Sequence, residues 1–122
     1  MIKFIPQPTI TTCGQACVAM LAKTSIEEAI EKMGTDGSTH REHIIDGLKA
    51  CGVNCSNEFI EVSKENPTYP PVCVLLIWFP TYGHWVVHYH GKFYDPEFGL
   101  LDECVSHGRI GEYLEVFLDE NM

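Results

Sequence analysis

Cys13 is followed by Gly14 and then by a run rich in Ala and Met, within the segment IPQPTITTCGQACVAM at residues 5–20. That composition predicts a helix over residues 14–23 with a thiol at its N-terminus. A cysteine there feels the positive end of the helix dipole, which favours thiolate over thiol. The first main-chain N–H groups lack helical acceptors and are available to a developing oxyanion. Gln7, six positions upstream, is a candidate side-chain donor to the same hole. A distant second block, GHWVVHYHGKFYDP at residues 83–96, supplies two histidines and an aspartate. Together they have the makings of a thiol nucleophile with a base and an orienting carboxylate.

The elements that must position these groups fall into two halves. Ser25-Ile26-Glu27-Glu28 reads as a capping box opening a short helix that fades at Gly34. Thr39-His40-Arg41-Glu42 reads as a second box, opening a helix to about Cys51 with Gly52 as its stop. The period then changes. Residues 55–62 look like a weak strand, and residues 72–79 are continuously apolar, as a strand buried on both faces would be. Residues 84–89 and 92–95 form a hairpin around His90-Gly91. The tail leaves a strand or a helix open near residues 112–118. The expectation is an α+β protein, a single domain over residues 1–122, with N-terminal helices packed on a mostly antiparallel sheet.

The hairpin makes a geometric prediction. A two-residue turn pairs Tyr89 with Lys92 and Val87 with Tyr94, so His84, Val86, His88, Phe93 and Asp95 share one face. Asp95 is then a diagonal neighbour of both His84 and His88, and geometry alone leaves both as candidates. A register one residue different would put the pair on opposite faces.

Bulk properties narrow the function classes. The 122 residues are 45% hydrophobic and 20% charged, ordinary for a globular protein. A net charge of −9, from 17 acids and 8 bases, argues against a nucleic-acid partner. The N-terminal residues do not read as a signal peptide, and no apolar run is long enough for a bilayer. The six cysteines are expected as reduced thiols in a cytoplasmic protein. Cys13-x3-Cys17 and Cys51-x3-Cys55 have tolerable ligand gaps, but no compact Cys/His quartet follows, so no metal or other cofactor is expected.

These motifs, in this order, resemble the C39-like cysteine peptidases, the papain-like group that includes double-glycine leader peptidases. The resemblance rests on Pro6-Gln7, then Cys13-Gly14-Gln15-Ala16. It continues through His84-Trp85-Val86-Val87 and Tyr94-Asp95-Pro96 with Gly99, and so spans nearly the whole chain. Thr12 departs from the pattern, standing where the family often has Asp. The resemblance implies a papain-like fold and separates the histidines in favour of His84. It implies Cys13 as nucleophile, His84 as base and acid, Asp95 as orienter and Gln7 in the oxyanion hole. The implied activity is cleavage of a peptide or isopeptide bond in a peptide or protein substrate. Acyl transfer or deamidation by the same acyl-enzyme is one alternative, and an inactive peptide-binding module is another. A redox pairing of Cys13 with Cys17 lacks the Cys-x-x-Cys spacing.

Overall fold

A computed structural model describes residues 2–119. Three helices come first: α1 (Cys13–Ala22), α2 (Ile26–Met33) and α3 (Arg41–Ala50). Seven strands follow: β1 (Asn54–Cys55), β2 (Ile60–Glu61), β3 (Val72–Trp78), β4 (Gly83–Tyr89), β5 (Lys92–Asp95), β6 (Gly99–Leu101) and β7 (Arg109–Phe117). They form one sheet in the order β1-β7-β3-β4-β5-β6, with β2 also on β7, and every pairing is antiparallel. The α+β expectation of helices followed by an antiparallel sheet holds. No helix among the described residues is long and apolar enough to cross a membrane.

The helices pack on one face of the sheet. Met20, Leu21, Ile44 and Leu48 join Val74, Leu76, Trp85, Val87, Leu114 and Val116 in one buried cluster. The alternate residues of the same strands, among them Leu75, Ile77, Val86 and Phe93, form a second cluster on the other face. This explains the unbroken apolar run of β3: Cys73 to Ile77 are all buried because both faces are covered. Leaving such a strand half exposed would forgo about 1.5–3 kcal/mol per large side chain.

Local chemistry sets the boundaries. Ser25 caps α2 through its hydroxyl, which accepts from the Glu28 N–H at 3.1 Å. Lys23 and Gly34, both in the left-handed region, close α1 and α2. The second capping box needs correction by one residue. α3 starts after His40, whose N–H donates to His43 Nδ1 at 2.9 Å, a reciprocal bond that Thr39 and Glu42 were expected to make. Thr39 is drawn instead against α1, where its hydroxyl is buried.

The stretch at 55–62 is not one strand but two two-residue strands, both paired with β7. The ambiguous tail is β7, inserted between β1/β2 and β3, with a register shift at Leu76/Ile77. The hairpin has the expected register: Tyr89 pairs with Lys92, His88 with Phe93 and Val87 with Tyr94. Its turn residues His90 and Gly91 both have positive φ (48° and 88°), the conformation a two-residue turn between right-twisted strands requires.

Candidate active site

His84 and Asp95 lie at the open end of the hairpin, away from its turn, and each is only 2% exposed. His84 Nε2 donates to Asp95 Oδ1 at 2.6 Å. The same carboxylate oxygen accepts the N–H groups of Glu97 at 2.9 Å and Phe98 at 3.1 Å. Asp95 thus folds residues 95–98 into a turn with its own side chain and holds the imidazole from a rigid base. The rings of Phe79 and Phe98 stand 5.8 and 6.2 Å from the imidazole and shield it from water.

His88 shares the strand face but not the partner. Its Nδ1 donates to the Pro70 carbonyl at 3.1 Å, and its ring sits against Tyr69 and Phe93. Burial holds its pKa below the ordinary histidine range. It is a packed histidine that serves the core. The two histidines left open by the register are therefore separated by a carbonyl from a loop 18 residues earlier in the chain.

Cys13 opens α1, and Thr12 offers the helix no side-chain cap. The Thr12 hydroxyl is engaged with Thr9, accepting from its N–H at 3.0 Å and donating to its carbonyl at 3.1 Å. The first intrahelical bond runs from the Ala16 N–H to the Thr12 carbonyl, so the N–H groups before it point out of the helix. Here the departure from an aspartate at position 12 matters, since a carboxylate would compete for those donors.

Cys13 and His84 face one cleft across the gap between helix and sheet, near enough for the thiol to act on the imidazole. Because Nε2 is taken by Asp95, Nδ1 is the ring nitrogen left available to the thiol. Burial works against a charged imidazole, but the Asp95 hydrogen bond and the nearby Cys13 and Asp95 groups outweigh it and raise the His84 pKa to about 9. The other five cysteines are free thiols, each pushed above the ordinary thiol range chiefly by burial. Cys17 is wholly buried in the core.

A cleft of about 450 Å³ opens over the pair, lined among others by Cys13, His84, Ser38, Thr39, Trp85 and Glu97. Its walls depend on two neighbours of Cys13. A Cβ on Gly14 would fall 2.2 Å from the Thr39 hydroxyl and 3.2 Å from the Trp85 ring, so only glycine lets that wall approach the helix start. Gln15, fully buried, donates from Nε2 to the carbonyls of Thr35 (2.8 Å) and Gly37 (2.9 Å) and pins the loop leading to Ser38. Neither role was anticipated from sequence, although both residues were part of the motif.

Gln7 is near but turned differently. Its backbone N–H donates to the Pro96 carbonyl at 3.0 Å, tying the N-terminal segment to the Asp95 turn. Its side-chain Nε2 donates to the Thr9 carbonyl at 2.8 Å, and it does not line the cleft. Of the four candidate residues, His84 and Asp95 are hydrogen-bonded, Cys13 faces the same cleft as His84, and Gln7 stands beside them. Glu97 is the residue that sequence reading missed: its carboxylate lies 4.0 Å from His84 Nδ1. A signal existed in Asp95-Pro96-Glu97, an aspartate two residues upstream in a turn.

The geometry can support nucleophilic attack by a thiolate, proton transfer through a fixed imidazole, and anion stabilisation by helix N–H groups. No model of a known protein family matches the chain, and no curated protein matches it.

Proposed function

We propose that this protein is a papain-like cysteine hydrolase related to the C39-like peptidases, acting on a peptide or isopeptide bond. The observation that carries the reading is the line Cys13–His84–Asp95 at an uncapped helix start, opening into a single cleft. Cys13 attacks the acyl carbonyl as thiolate. A C–S bond forms, and the oxygen gains the negative charge that the Cys13 N–H and its neighbours receive. On collapse the C–N bond breaks, and His84 Nδ1 gives its proton to the departing amine. Water then attacks the thioester while His84 takes a proton from it, releasing the acid and restoring the thiolate. Asp95 keeps the imidazole in the tautomer and orientation both steps need.

The reading has a direct test. Iodoacetamide at pH 7 should modify Cys13 well before the five thiols whose ionisation burial suppresses. A library of cell-derived peptides should acquire new termini with wild type and none with Cys13→Ala, read by mass spectrometry. Labelling of Cys13 no faster than of Cys55 or Cys104, with no new termini, would leave a peptide-binding module as the better reading.

Gln7 carries its own expected result. An amide nitrogen has two N–H groups, and Thr9 takes one of them. If the other reaches the oxyanion, Gln7→Ala lowers kcat by about 10²–10³, while Cys13 alkylation, which develops no carbonyl oxyanion, stays near normal. If Gln7 only ties the N-terminal segment to Pro96 and Thr9, melting temperature falls and kcat of the folded protein does not. Melts run beside the kinetics decide between the two.

A further inference from the structure

The geometry points to Glu97 as a specificity residue that selects a cationic side chain, Lys or Arg, on the leaving-group side of the scissile bond. The inference rests on the hydrolase reading above. His84 Nδ1 is the atom that delivers the proton to the departing nitrogen, and the Glu97 carboxylate stands 4.0 Å from it. In the reacting complex that nitrogen sits within about 3 Å of Nδ1. The first residue beyond the scissile bond therefore emerges beside Glu97.

The charges in the cleft support the sign. The carboxylates of Asp95 and Glu97 both stand against the single positive charge the His84 ring can carry, and among the described residues no Lys or Arg lines this cleft. Tyr82, which also lines the cleft, reports the same field. Its hydroxyl is held above the ordinary tyrosine range by loss of solvent first, and then by the charges of Glu97, Asp95 and Cys13.

Glu97 is also fixed rather than free to swing aside at its base, because its own N–H is bound by Asp95 Oδ1 at 2.9 Å. Its side chain lines the cleft and is 38% exposed. A substrate ammonium or guanidinium can replace solvent there and form a charge-assisted hydrogen bond. The net charge of −9 over the whole chain adds long-range attraction of the same sign.

Two measurements test this. The first compares Cys13 modification by three methanethiosulfonates, carrying a trimethylammonium, a sulfonate or no charge. Each transfers its thioalkyl group to the thiolate and releases methanesulfinate, so the reading needs no turnover. Glu97→Gln should lower the cation-to-anion rate ratio about threefold to tenfold, as expected for one charge a few ångströms away in a solvated cleft, and Glu97→Lys should lower it further.

The second reads the peptide library. Wild-type termini should be enriched for Lys or Arg as the new N-terminal residue, and Glu97→Gln should lose that enrichment. A drop in all three reagent rates with their ratio unchanged would make Glu97 a counter-charge of His84 only, and would overturn the proposal. Termini that depend on Cys13 but show no preference for a cationic leaving residue would overturn it too, with the hydrolase reading intact. A library without any Cys13-dependent termini would remove both.

Discussion

His84→Ala should reduce turnover of a cleaved peptide by about 10²–10⁴, and His88→Ala should reduce it far less. Both histidines are buried on the same strand face, so a general packing effect would penalise them alike. Their partners differ: Asp95 and Cys13 for His84, the Pro70 carbonyl for His88. The pH profile adds a second signature. His84 is raised from 6.5 to about 9, so the stability it contributes is fully present below pH 6.5 and is lost as pH rises through about 9. The gap in melting temperature between wild type and His84→Ala should therefore narrow across that range. Turnover should fall only as pH rises through about 9, where the folded protein loses the imidazolium proton that acylation needs, whereas alkylation of Cys13 should not. A larger loss from His88→Ala than from His84→Ala would mean that the strand has been misread.

The elements that sequence reading placed well are those with short-range rules. The hairpin register followed from two residues, His90-Gly91, whose positive φ values permit only a tight turn. The buried strand β3 followed from an apolar run flanked by prolines and aromatics. What failed depended on distant partners. Thr39 looked like a helix cap until the absence of a Cβ on Gly14 drew it against α1, and the cap passed to the His40–His43 pair. Residues 112–118 mix Glu, Tyr, Leu and Val in no clean period, and their strand exists because β3 offers an edge to pair with.

The candidate site divides in the same way. Cys13 and the helix start were legible from residue type, and the hairpin put Asp95 within reach of a histidine on its own face. Which histidine it took depended on Pro70, and the orientation of the Gln7 amide on the Thr9 carbonyl. A spacing of six residues carries no information about where an amide points. Glu97 was missed although Asp95-Pro96-Glu97 marks a turn, because it is the three bonds on Oδ1 that bring its backbone beside the imidazole.

That turn makes Asp95 the position where two substitutions should separate orientation from charge. Asp95→Ala removes the acceptor for the His84 ring and for the N–H groups of Glu97 and Phe98 together. Losing bonds to a charged acceptor and releasing the turn should cost about 2–4 kcal/mol of stability. Turnover of the folded fraction should fall by about 10³–10⁴, the scale set by a mis-oriented imidazole. Asp95→Asn is a milder change at this site. Two backbone N–H donors face Oδ1, so the amide presents its oxygen there and still accepts from His84 Nε2. The tautomer is preserved and the charge is lost. Turnover should then fall by only about 10–10², a loss from charge without misorientation. The His84 value should drop from about 9 toward 6.5, carrying the alkaline limb of the activity profile with it. Titration of the His84 ring protons by NMR in the two variants measures the shift directly. A folded Asp95→Ala protein with near-normal turnover would remove Asp95 from the site.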